Sequence, residues 1–384
     1  DCLLSRGLGD VYKRQLLILA LLAFPMTYYA HRGLTRFVLS GRDGGDITEV
    51  VEEHFGLSAG AMITVLYFLA IFPILLIYSV ALTNTVGSFM EHQLHIQPPP
   101  RALLSFVLIL GLLAVVRCGE QATVKAMSLL VYPFIVALAF LAVFLVPHWN
   151  GGILATAGDL PGGGAFLHTL WLAIPVMVFS FNHSPIISAF AVDQKRRYGA
   201  NADERSGQIL ARAHLLMVAM VMFFVFSCVL TLSPAQLAEA KAQNLSILSY
   251  LANHFSNPTI AFAAPLIAFV AIAKSFLGHY IGASEGLKGI ILKTGKRPAA
   301  KTLDRVTAAL MLVVCWIVAT LNPSILGMIE ALGGPVIAAI LFLMPMYAIR
   351  KVPAMRKYSG KASNVFVVAV GLVALSSVVY SLIP

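Results

Sequence analysis

The sequence predicts an all-α protein that crosses a membrane many times, and three observations carry that prediction. Charged side chains are 11% of the 384 residues against 59% hydrophobic, where a soluble domain carries about a quarter charged. Apolar runs long enough to cross a bilayer, roughly 20 residues each, recur along the chain. Lys and Arg collect in alternate loops between those runs, the pattern of a polytopic protein. The mean hydropathy of +0.85 agrees.

The elements follow in order. Residues 1–15 fit neither a signal peptide nor a span and read as a non-native leader. The apolar run that follows, Leu16 to Ala30, would cover about 22 Å as a helix, short of the roughly 30 Å hydrocarbon core, so the first span is expected to be truncated. Spans of proper length are expected at 59–87, 102–117, 126–147, 168–192, 213–232, 258–283, 306–321, 324–349 and 364–383, making about ten in all. The segment Asp46-Ile-Thr-Glu49 is a capping box that opens an amphipathic helix with Ile47, Val50, Val51 and Phe55 on its apolar side. Ser233-Pro-Ala-Gln236 opens a second loop helix, with Pro234 at its first position, expected to run on through Leu245, Leu248, Leu251 and Phe255. It is either a lid over an entry path or a passive brace. The stretch 284–305 reads as a plain connector.

Orientation comes from the basic residues. One set of loops holds 21 of them, from Arg32, Arg36 and Arg42 through Lys195, Arg196 and Arg197 to Lys357 and Lys361, and the alternate set holds Arg101 and Lys241. The first set is therefore cytoplasmic and the C-terminus external. The net charge of +10 reflects this topology and not a nucleic-acid partner. Four scattered cysteines indicate no disulfide framework or zinc site, and the sequence contains no phosphate-binding Gly-Lys-Ser/Thr loop. No metal or organic cofactor is expected.

The most informative stretch is Val178 to Phe190. Ser180, Phe181, Asn182, His183 and Ser184 stand beside Pro185 in the middle of an apolar run. Proline lacks an N–H and clashes with the carbonyl four residues back, so the helix is expected to open near Phe181. Irregular backbone at membrane depth is tolerated only where it faces protein or a water-filled cavity, which makes this a candidate solute site. A kink patched by Ser and Asn side chains is the plain alternative.

Ionisable groups within spans are costly and mark pathways or relays. Lys274 lies about 24 Å along its helix from Pro258, with Ser275 and His279 nearby. It is either a proton-exchanging group or a fixed cation. Glu330, among Gly333, Gly334 and Pro335, is either an external-side gate or proton relay, or a partner for exposed backbone groups. His183 stands at the centre of its span, as a carboxylate or proton ligand or as a satisfied core histidine. The Tyr67 and Tyr78 pair shares one span and is there either for packing or for ligand contact. A membrane serine protease would need an activated nucleophile; Ser180, Ser184 and His183 are present, but nothing marks an oxyanion hole.

Phe179-Ser-Phe-Asn-His-Ser-Pro-Ile-Ile-Ser188, Ala271-Ile-Ala-Lys-Ser-Phe-Leu-Gly-His-Tyr280 and Asn322-Pro-Ser-Ile-Leu-Gly-Met-Ile-Glu330 together resemble the bacterial hydroxy/aromatic amino acid permeases of the amino acid–polyamine–organocation superfamily. The resemblance covers essentially all of 16–384. It implies a five-plus-five inverted-repeat fold with an extra C-terminal helix: 16–147 as the remainder of the first repeat, 168–349 as the second and 364–383 as the extra helix, the first helix of the first repeat being absent. It also implies an inner-membrane secondary transporter that imports serine or a related small hydroxy amino acid with a proton as coupling ion. Threonine or an aromatic amino acid, or a non-transporting fragment, are the alternatives. Ser180, Phe181, Asn182, His183, Ser184 and Tyr78 would then contact substrate, with Lys274, Ser275, His279 and Glu330 in coupling or gating.

Overall fold

The computed structural model describes residues 13–117, 120–149, 163–255, 257–295, 298–325, 327–328 and 334–381, and every regular element among them is a helix. Helix α1, Lys13–Leu39, corrects the expected short first span. Its 27 residues measure about 40 Å, long enough to cross a bilayer, although α1 is not among the stretches that are also apolar enough to do so. The apolar run stops at Ala30, but the helix continues because the next residues are buried in the bundle and not solvated. His31 is 1% exposed, and Arg32 pairs with Asp203 at 2.7 Å. A Cβ at position 207 would meet the Arg32 guanidinium at 2.6 Å, so Gly207 makes room for it. The expected leader falls largely on residues 1–12, outside the described residues.

Helix α2, Ile47–Phe55, begins at its capping box: Asp46 accepts the Thr48 and Glu49 N–H groups, and the Glu49 carboxylate accepts the Asp46 N–H. Its apolar side buries Ile47, Val50 and Val51, and the Ile47 N–H donates to Ser188 Oγ at 2.9 Å. A turn at Gly56, with φ of 87°, leads into α3, Leu57–His92, followed by α4, Arg101–Arg117, and α5, Glu120–Leu145.

The next run is interrupted. Helix α6, Gly163–Ser180, stops; Phe181, Asn182 and His183 are non-helical; and α7, Ser184–Tyr198, starts with Pro185 in its first turn. Helix α8 is Ala202–Thr231. The expected single loop helix is two, α9 (Pro234–Ala242) and α10 (Ile247–His254). Asn244 sits between them in the left-handed region at φ 54°, and Ser246 caps α10, so the helix cannot run through. Helices α11 (Pro258–Lys293) and α12 (Ala300–Leu321) occupy most of the expected 284–305 connector, and Lys288 pairs with Asp304 across it at 2.5 Å. Helix α13 is α-helical over Gly334–Ile337, π-helical over Ala338–Leu343 and α-helical again over Met344–Lys351. Helix α14, Ala362–Ser381, ends the fold.

Among the described residues, five helical stretches are long and apolar enough to cross a membrane: 57–92, 131–148, 184–231, 258–293 and 300–321. Shorter apolar helices lie at 164–180 and 362–377. The two 36-residue helices α3 and α11 pack along one another. Close approach needs small residues at the crossing. A Cβ on Gly282 would lie 3.1 Å from Pro185 Cβ, 3.2 Å from Ile71 Cδ1 and 3.4 Å from Tyr67 Oη, so this glycine lets α11 rest against both α3 and the start of α7. The interrupted helix is thus held between α11 on one side and α1 and α8 on the other.

Candidate functional site: the interrupted helix

The break places polar groups in the interior without exhausting them. Asn182 Oδ1 accepts the Ser184 N–H at 3.0 Å and so caps α7, and the His183 ring donates from Nδ1 to the Phe181 carbonyl at 2.8 Å. A carbonyl only accepts, so that bond puts the His183 proton on Nδ1 and leaves Nε2 as an acceptor. Phe181 itself is 2% exposed. Within the break, Ser180 Oγ and Asn182 Nδ2 are buried with no hydrogen-bond partner among the described residues. An unsatisfied buried donor costs about 1–3 kcal/mol unless something binds it. These two atoms are therefore the best-placed in the break to receive a polar solute.

The structure brings most of the expected residues to one place. On α11 the His279 ring donates from Nδ1 to the Ser275 carbonyl at 2.8 Å, and it lies 5.1 Å from the Tyr78 ring of α3. Lys274 and His279 both act electrostatically on or with His183. Lys274 has no hydrogen bond or ion pair to a described residue, which leaves its charge without a local counter-ion there. Tyr67 takes the packing role, fully buried beside Gly282. Glu330 lies outside the described residues.

Two residues of this neighbourhood escaped the sequence reading. His31, on α1, donates from Nδ1 to the Thr27 carbonyl at 2.7 Å and accepts the His183 backbone N–H on Nε2 at 2.8 Å. His214, on α8, completes a group of three imidazoles with ring centroids 5.1, 5.4 and 5.6 Å apart. The signal was available: both are histidines beside or inside apolar runs. His31 stands just past Ala30, where the first apolar run ends, and His214 stands at the opening of its run, so neither marks the middle of a span. Among the described residues no group of His, Cys, Asp or Glu has metal-holding geometry.

On the side of the basic loops, polar contacts close the bundle beneath the break. Asp203 accepts from Arg32 at 2.7 Å and Arg36 at 3.2 Å, and Arg36 stacks over the Tyr358 ring at 4.2 Å. Burial, and next the Asp203 charge, push the Tyr358 hydroxyl up to about 12. Lys195 bridges to Asp43 at 2.9 Å and to the Gly41 carbonyl at 2.6 Å, and Lys293 pairs with Glu52. On the opposite side Asn244 is a hub: its side chain contacts Asn322, the Pro323 carbonyl and the Ile325 N–H, and its carbonyl accepts from Asn84. The break thus lies between these contacts on the side of the basic loops and the Asn244 contacts on the opposite side.

Residues 11–383 match the model of the tryptophan/tyrosine permease family. The chain is 65% identical to the serine transporter SdaC of Escherichia coli K12 over 388 aligned positions, covering 99% of this chain and 90% of that protein. Identity to the serine transporter SdaC of Shigella flexneri is 64% with the same coverage. Among solved structures, MhsT in complex with L-phenylalanine superposes with a TM-score of 0.63 at 14% identity, over 99% of this chain and 92% of that one. The last likeness shows a shared fold.

Proposed function

Because the chain belongs to the tryptophan/tyrosine permease family, we propose that it is a secondary transporter that imports L-serine by proton symport across a bacterial inner membrane. The observation that carries the substrate is the 65% identity, over 99% of the chain, to a protein described as a serine transporter. The family is one of permeases, so Ser180 and Ser184 serve as polar ligands and not as nucleophiles.

On this reading the serine carboxylate, ammonium and hydroxyl meet the half-helix ends at the break. The Ser184 N–H is held by Asn182 and Pro185 has none, so α7 favours a carboxylate through its helix dipole, and the C-terminal carbonyls of α6 face an ammonium. Ser180 Oγ and Asn182 Nδ2 supply the unpartnered polar atoms, and Tyr78, with His183, lines the wall. Lys274, Ser275 and His279 form the coupling side, where the lysine supplies a resident cation. The interrupted helix leads the second repeat, which ends with α13; α1, α3, α4 and α5 belong to the first, and α14 is the extra helix. The basic loops put the C-terminus outside.

The test is uptake of radiolabelled L-serine by vesicles carrying the full-length protein, in competition with excess unlabelled serine, threonine or tryptophan. Serine should compete most strongly. Uptake displaced by tryptophan and not by serine would overturn the substrate.

A further inference from the structure

His31 is bound at both ring nitrogens in a way that constrains its protonation. Its Nδ1–H is committed to the Thr27 carbonyl, and the single lone pair on Nε2 accepts the backbone N–H of His183. A proton added to this ring must go to Nε2, and it then competes with the His183 N–H for that lone pair. The bond at stake is the one that ties α1 to the non-helical link between α6 and α7. Beside it, His214 Nδ1 is buried with no partner among the described residues, an uncommitted ring nitrogen inside the bundle. The Nε2 of His183 is a second, since its Nδ1 is held by Phe181.

We propose that His31, His183 and His214 are the proton-carrying group of the transport cycle, and that a proton reaching His31 Nε2 releases the His183 backbone N–H and so frees the helix break to move. The proposal rests on the proton-symport reading above. The proton enters from the external aqueous phase, resides on one imidazole at a time and leaves to the cytoplasm, with no other bond made or broken. The groups that face the three rings are few. From α11 come Lys274, whose charge acts on His183, and His279, on which His183 acts; from α8 and α1 come His214 and His31 themselves. Arg32, next to His31 in sequence, is turned away to Asp203. Lys274 therefore stands as a fixed positive charge beside the group, which favours at most one proton on it at a time.

The experiment uses the full-length protein in liposomes, with His31→Gln and His214→Gln. Glutamine at position 31 keeps an oxygen to accept the His183 N–H and loses the titrating nitrogen. Two readouts are taken: serine counterflow at equal pH on both sides, and serine accumulation driven by an imposed pH gradient. In His214→Gln counterflow should persist within about threefold while gradient-driven accumulation falls by about tenfold or more, the size of a typical coupling free energy; in His31→Gln, where the break stays tied, both should fall. Either variant accumulating serine as the unmodified protein does would overturn the proposal. Should the unmodified protein itself accumulate serine without a gradient, the symport reading fails instead. Where a variant loses counterflow as well, histidine-labelled unmodified protein decides by nitrogen NMR. Adding L-serine should change the protonation of one of the three rings, and three unchanged rings would overturn the assignment.

Discussion

The backbone N–H of His183 and the ring Nε2 of His31, 152 positions apart in the chain, meet at 2.8 Å and join helix α1 to the interrupted helix. A helix end whose N–H groups lack carbonyl partners must find acceptors elsewhere. Here one acceptor is an imidazole, a group whose capacity to accept disappears when it is protonated. The link between backbone geometry and proton occupancy follows from that single bond.

The unpartnered atoms of the break should govern solute affinity. Ser180→Ala and Asn182→Ala each remove one candidate contact, and a neutral hydrogen bond contributes about 0.5–1.5 kcal/mol, or about 2- to 12-fold in affinity. The serine concentration needed for a given thermal stabilisation of the purified protein should rise by that factor in each variant. Asn182→Ala should also lower the stability of the free protein, because Oδ1 caps the Ser184 N–H. Ser180→Ala should leave it unchanged or raise it, since the hydroxyl is unsatisfied without solute.

Gly282 is where α11, α3 and the start of α7 meet. Gly282→Val should force the helices apart, at about 1–3 kcal/mol for overpacking. A thermal scan should show a lowered midpoint, and serine uptake should fall with it. Gly111, whose added Cβ would meet nothing within 4 Å, provides the control: Gly111→Ala should leave both measurements unchanged.

Asn244 sets the position of α9 and α10 over the bundle. Asn244→Ala removes the side-chain bonds to Asn322, Pro323 and Ile325 and strains a left-handed residue, adding roughly 1–2 kcal/mol to the lost bonds. Asn244→Gly removes only the bonds. Hydrogen exchange across 234–254 should quicken in both, and more in the alanine variant. Equal exchange in all three proteins would show that the hub does not hold this segment.

How much of this was legible in the sequence depends on the interactions involved. The helix interruption follows from Pro185 and a polar run, and both capping boxes are local patterns; Asp46 and Ser233 hold their helix starts as such patterns require. The extent of α1 was not legible, because a charged Arg32 reads as the end of a span until its partner Asp203, 171 residues away, is known. The division at Asn244 was hidden for the same reason: the residue's left-handed conformation is fixed by contacts to Asn84 and Asn322, neither of them near in sequence. The histidine group is tertiary altogether. His31, His183 and His214 share no spacing that periodicity could detect, and only the packing of α1 and α8 around the break brings them together.

Tyr358 offers a pH-dependent handle on the closed side that carries the basic loops. Its hydroxyl is pushed up from 10.0 to about 12, first by burial and then by Asp203. A raised tyrosine pKa means that the folded state holds the proton more tightly than the unfolded chain. The stability this contributes is full below pH 10 and is lost as pH rises through about 12. Ultraviolet titration of phenolate should show a late component that vanishes in Tyr358→Phe and moves to lower pH in Asp203→Asn. A component unmoved by Asp203→Asn would exclude the aspartate as a cause.

Gradient-driven accumulation tests the central claim most directly. Liposomes containing the full-length protein are loaded at alkaline pH, diluted into more acidic medium with radiolabelled L-serine, and sampled with and without a protonophore. The account predicts that internal serine rises above the external concentration and falls back to it when the protonophore is added. Uptake that stops at the external concentration, unchanged by gradient or protonophore, would contradict it.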